Sequence, residues 1–98
     1  MQRLALIARL KPGTEEQAAR LVAGGPPFDP AERGLGRHAV YLSAGEVVFV
    51  FEGDEVEWIV EEMIHEPAGG TMAVALDAWR ELVDGPPRIA RSVYSWEA

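Results

Sequence analysis

The chain has 98 residues, a formal net charge of −7, no cysteine, 48% hydrophobic residues and 26% charged ones. That length suits one domain around one core, and the apolar content argues against disorder. The lack of cysteine removes disulfides, thiolate nucleophiles and cysteine-ligated metals, and the acidic charge works against nucleic acid or anionic membranes as partners.

No apolar run reaches the roughly 20 residues that span a bilayer. The stretch Met1–Ile7 is too short and too interrupted for a signal peptide, so a cytoplasmic protein is expected. Eight arginines stand against the single Lys11, and asparagine is absent. That bias fits heat tolerance and equally a GC-rich genome.

Residues 3–10 alternate Leu4, Leu6, Ala8 and Leu10 against Ala5, Ile7 and Arg9, which predicts a strand buried largely on both faces. Pro12-Gly13 breaks it. Thr14 then opens a helix, with Gln17 completing a capping-box pattern and Ala18, Leu21 and Val22 as the inward stripe. Gly24-Gly25-Pro26-Pro27 ends that helix. In the loop that follows, Asp29 and Pro30 predict a short turn, and Phe28 is expected to pin the loop to the domain.

Residues 38–42 and 47–51 read as two strands of a hairpin through Ser43-Ala44-Gly45-Glu46. With Ala44 and Gly45 at the tip, His38 faces Phe51, Val40 faces Phe49 and Leu42 faces Val47 on one side of the sheet. The other side pairs Tyr41 with Val48, Ala39 with Val50 and Arg37 with Glu52. Asp54 is expected to cap a second helix whose stripe is Val56, Ile59, Val60, Met63 and Ile64. Glu66-Pro67-Ala68-Gly69-Gly70 breaks it, and a second half runs from Thr71 through Met72, Ala75, Leu76, Trp79, Leu82 and Val83. A last strand is expected over 88–96.

Residues 1–98 therefore predict a single ferredoxin-like α+β domain: βαββαβ, a four-stranded antiparallel sheet with helices on one face and a broken second helix. Right-handed crossovers place the first and third strands centrally. Ala39, Tyr41, Val48 and Val50 then make the helix-free face apolar, and a homodimer packing sheet on sheet would cover it.

The element order, the opening Ala8-Arg9-Leu10-Lys11-Pro12-Gly13-Thr14-Glu15-Glu16 and the Gly69-Gly70 break together resemble the dimeric α+β barrel superfamily. That resemblance covers the whole chain. It implies a small-ligand cavity between sheet and helices and activities such as cofactor-independent monooxygenase, cyclase or isomerase. Haem-degrading relatives carry an axial histidine on the second helix, which would be His65 here. They also use an asparagine near the first strand, and this chain has none.

His38 is the candidate base, because it shares a face with Val40, Phe49 and Phe51, and histidine titrates near neutral pH. The ordinary alternative is a strand-end histidine bonded to backbone. Phe49, Phe51 and Tyr41 or Trp79 are expected to shape its cavity. Glu46, Glu52, Asp54, Glu55, Glu57, Glu61, Glu62 and Glu66 lie in one stretch without Lys or Arg. That stretch reads as a solvated face, or more sharply as a ligand or partner surface of helix 54–66 that uses Trp58 and His65. Arg9 and Arg91 could hold an anionic group or pair with carboxylates. A metal shared by His38 and His65 has no ligand spacing to support it. The expectation is a homodimer that binds a small apolar or aromatic molecule without a cofactor, with haem or metal binding through His65 as the lesser alternative.

Overall fold

The computed structural model describes residues 2–26, 28–65 and 77–98. Its elements are β1 (Gln2–Arg9), α1 (Glu15–Ala23), β2 (Leu35–Leu42), β3 (Glu46–Gly53), α2 (Val56–Ile64) and β4 (Arg88–Arg91). The four strands form one antiparallel sheet in the order β2-β3-β1-β4. β1 and β3 are central, as the crossover rule requires.

The hairpin takes the register its sequence predicts: Leu42 opposite Val47, Val40 opposite Phe49 and His38 opposite Phe51. The Ser43 N–H donates to the Glu46 carbonyl at 2.9 Å and closes the turn. Pleating then sorts the side chains by parity. Leu4, Leu6 and Ala8 of β1 and Val47 and Phe51 of β3 are buried on the helix side. On the open side lie Ala5, Ile7, Ala39, Val48 and Val50, all half-buried, and Tyr41, which is 58% exposed.

Two buried clusters fill the space between sheet and helices. α2 sets Val56, Ile59, Val60 and Met63 on Leu4, Leu6, Leu35 and Phe51. Ala18 of α1 meets Ala8, Leu10, Val47 and Leu82. Phe49 packs against both clusters. Burying one such Leu or Phe side chain contributes roughly 1.5–3 kcal/mol, so the apolar alternation of β1 and β3 carries much of the stability.

Local starts differ from their sequence patterns. Thr14 occupies the N-cap position of α1, yet its hydroxyl donates to the Lys11 carbonyl at 2.7 Å instead of capping the helix. α2 begins after Glu55 rather than Asp54, and Glu55 has left-handed backbone angles of φ 58° and ψ 36°. Phe28 and Asp29 behave as expected. Phe28 packs on the α2-side cluster, and the Asp29 carboxylate accepts from the Ala31 N–H at 3.0 Å.

The predicted break at 66–70 and the stretch 71–76 lie outside the described residues. Residues 77–80 are helical. Val83 then bridges to Leu10, and the Asp84 N–H donates to the Arg9 carbonyl at 2.7 Å. The last strand is shorter than predicted, at four residues. Its ladder on β1 ends where Arg91 faces Leu4.

Candidate functional site

His38 sits near the middle of β2 on the helix side, and its surroundings come from three segments. β3 supplies Phe51, whose ring centroid lies 4.7 Å from the imidazole with planes 22° apart. The loop before β2 supplies Phe28, at 5.6 Å and 46°. The Val50 carbonyl lies 3.0 Å from His38 Nδ1. A carbonyl can only accept, so Nδ1 carries the proton in the neutral ring and Nε2 keeps its lone pair. Desolvation pushes the His38 pKa below the ordinary value, partly offset by the Val50 hydrogen bond. The neutral, Nε2-basic form therefore predominates at pH 7.

Phe49, beside this group, meets the Trp79 ring edge to face at 5.2 Å and 88°. His38, Phe49, Phe51 and Trp79 thus form one helix-side aromatic group. Tyr41 does not join them, because three residues along a strand is an odd step and the pleat turns it to the open side.

Trp58 and His65 lie on the outer side of α2. Trp58 is 60% exposed and borders, with Glu55, an open hollow of about 240 Å³. His65 is exposed at the end of α2, with Nδ1 2.8 Å from the Glu61 carbonyl. Among the described residues, no three His, Asp or Glu side chains gather as a metal site. Glu52 is committed elsewhere: its side chain is 8% exposed and takes Arg3 at 2.8 Å and Arg37 at 3.6 Å on the open face. Arg91 pairs with Glu57 of α2, which holds the Glu57 carboxyl below the usual range.

No family model matches the chain, and no curated protein matches it. Solved structures do. A protein of unknown function from Nitrosomonas europaea superposes with a TM-score of 0.66 at 20% identity, covering 100% of this chain and 96% of its own. A tetracenomycin cyclase from Streptomyces glaucescens, a type II polyketide cyclase, gives 0.65 at 18%, covering 98% and 97%. A protein assigned as an antibiotic biosynthesis monooxygenase, from Chloroflexus aurantiacus, gives 0.57 at 14%, covering 98% and 96%. The chain has the ferredoxin-like α+β fold. Identities this low carry the fold and leave activity to the site.

Within the ferredoxin-like domain, the sequence candidates fall into three places: the helix-side group around His38, the open face with Tyr41, and the outside of α2 with Trp58 and His65. A second open hollow, of about 360 Å³, lies between α1 and residues 78–82. Neither hollow includes His38. Two contributors to the His38 group were not foreseen as site residues, Phe28 and the Val50 carbonyl. Phe28 had a signal, as the lone aromatic of a Gly- and Pro-rich loop. A backbone carbonyl has none. Among the described residues, no helix is long and apolar enough to cross a membrane.

Proposed function

We propose that this domain binds a small planar apolar or aromatic molecule beside the helix-side group, with His38 Nε2 as a general base and no cofactor. The observation that carries this reading is the clamped imidazole. Two aromatic rings and one carbonyl fix its plane and its tautomer, and its lowered pKa keeps it neutral. Such a base takes a proton from a substrate O–H or activated C–H, giving imidazolium and the conjugate anion without a redox partner. Cyclisation or isomerisation of a phenolic or polycarbonyl compound begins with that step. The polyketide cyclase among the structural neighbours supports this substrate class.

Dimerisation belongs to the same reading. The half-buried apolar strip on the open face, with Tyr41 at its edge, is the kind of surface a second copy covers. A charge placed in it by Val48→Asp should leave the chain monomeric by sedimentation.

Titration with dihydroxyanthraquinone, followed by NMR, tests the site. The reading expects shifts at His38, Phe28 and Phe51, weaker binding in Phe28→Ala, and His38-dependent deuterium uptake by an acidic C–H of a diketone. A rival binding module on the outer side of α2 is favoured by the exposed Trp58 and its hollow with Glu55. Shifts confined to Trp58 and His65, with no exchange, would decide for the rival.

A further inference from the structure

The two rings beside His38 are held in different ways. Phe51 is 5% exposed in β3, between Leu4 of β1 and His38 of β2, and its ring lies nearly parallel to the imidazole at 4.7 Å. Phe28 is half-buried in the segment between α1 and β2, and meets the imidazole tilted by 46° at the wider distance of 5.6 Å. That segment is folded on itself. The Arg33 N–H donates to the Asp29 carbonyl at 3.2 Å, the Gly34 N–H to the Ala31 carbonyl at 3.1 Å and the Leu35 N–H to the Pro30 carbonyl at 3.0 Å. Among the described residues, the backbone hydrogen bonds of 29–34 all close within 29–35. Phe28 is the large apolar side chain that fastens the turn to the core. A glycine with left-handed backbone stands on either side, Gly25 at φ 79° and Gly34 at φ 85°. Beyond Gly34 the chain is fixed, because the β2–β3 ladder starts with Leu35 opposite Gly53. A compact turn held by one ring, between two glycine joints, is the construction of a lid.

We infer that Phe28 is the gate of the His38 site: its turn swings on Gly25 and Gly34, lifts the Phe28 ring from the imidazole to admit a planar substrate, and closes the ring over it. The inference rests on the reading of His38 as the base and adds the route by which substrate reaches that base. Geometry decides which wall opens. Phe51 is locked between two strands, and the Val50 carbonyl is backbone of β3. Neither open hollow of the surface includes His38. Phe28 is the wall that a side-chain rotation and two glycine torsions can move. Lifting a half-buried ring exposes less apolar surface than lifting a core one, so the open form is a minor state within reach of the closed one. A substrate ring that takes its place on the imidazole, with Phe28 closed over it, regains that contact.

The test uses diethyl pyrocarbonate, which acylates a neutral imidazole, at about pH 8, above the ordinary histidine range. Mass spectrometry of the digested chain separates His38 from His65, and the exposed His65 serves as the internal reference. In the parent, His38 should react at least about tenfold more slowly than His65. Phe28→Ala should bring it within about threefold of His65, and Phe28→Tyr, which keeps the ring, should restore the slow rate. The unfolding midpoint of each variant confirms that it keeps its fold. A second measurement needs no variant. Carbon relaxation dispersion on the parent should show one shared exchange rate at the Phe28 and His38 rings, quenched when dihydroxyanthraquinone binds. A parent His38 as reactive as His65 overturns the gate, and so does a His38 that stays slow in Phe28→Ala. Flat dispersion at both rings overturns it as well. The base reading is judged separately, by His38-dependent deuterium uptake. Gating without uptake removes the base and keeps the gate, while uptake at an ungated His38 does the reverse.

Discussion

The imidazole of His38 lies nearly parallel to the ring of Phe51, with centroids 4.7 Å apart. This stack, with Phe28 on a second side, replaces water around a titratable ring and gives protonation a cost. Because burial lowers the folded pKa from about 6.5, the unfolded chain binds more protons between the folded value and about 6.5. Stability therefore rises with pH across that window. The contribution is complete above about pH 6.5 and is lost as the pH falls toward the folded value. Urea unfolding of the parent and His38→Gln, from about pH 5 to pH 8, should show the parent gaining on the variant up to neutrality and then running parallel. A constant difference throughout would mean that His38 titrates alike in both states.

The Arg3–Glu52 pair makes a second prediction. Removing Arg3 leaves a carboxylate whose side chain is 8% exposed with, among the described residues, the longer Arg37 pair at 3.6 Å. Arg3→Met should cost about 2 kcal/mol, because a buried carboxylate that loses its shorter, hydrogen-bonded ion pair is expensive to keep. Glu52→Met should cost less, since the freed guanidinium reaches water and still has Glu97. The double variant should recover part of the loss, with a coupling of about 1–2 kcal/mol in a double-mutant cycle. Strict additivity would show that the two side chains do not interact in solution.

Gly53 ends β3 where the chain passes close to the start of β2. A methyl group there would stand 3.0 Å from the Gly34 carbonyl oxygen and 3.4 Å from Leu35 Cα, both backbone atoms that cannot rotate away. Gly53→Ala should therefore destabilise by about 1–3 kcal/mol. Gly45, in the hairpin turn, has nothing within 4 Å of such a methyl. Gly45→Ala should stay within about 0.5 kcal/mol of the parent. Thermal unfolding of the two variants side by side decides whether the Gly53 crossing is as tight as its geometry implies.

The two periodic signals read correctly because each repeats many times. Alternation in β1 and β3, together with the hairpin register, fixed which side chains share His38's face. The end of β4 was not legible, since Tyr94 and Trp96 alternate as a strand would, yet the strand stops at Arg91. Distant partnerships were equally silent. Nothing local ties Phe28 to His38 or Arg3 to Glu52, which meet only once the sheet is assembled. The pattern around Asp54 misled by one residue because cap preference is a weak local term, and the turn out of β3 set the entry into α2.

That entry yields a prediction of opposite sign to the others. Glu55 holds φ at 58°, a left-handed conformation that costs an L-residue about 1–2 kcal/mol and glycine almost nothing. Its carbonyl accepts from the Ile59 N–H at 3.1 Å, so the conformation is fixed by the first turn of α2. Glycine loses more backbone freedom on folding, which returns part of the gain. Glu55→Gly should therefore stabilise the domain by about 0.5–1 kcal/mol. Asp54→Ala supplies the contrast. A capping aspartate would cost about 1 kcal/mol on removal, but the cap position belongs to Glu55, with no side-chain cap bond. Asp54→Ala should change stability by less than about 0.5 kcal/mol. Urea midpoints for the two variants check both statements. A destabilised Asp54→Ala with an unchanged Glu55→Gly would place the helix start back at Asp54.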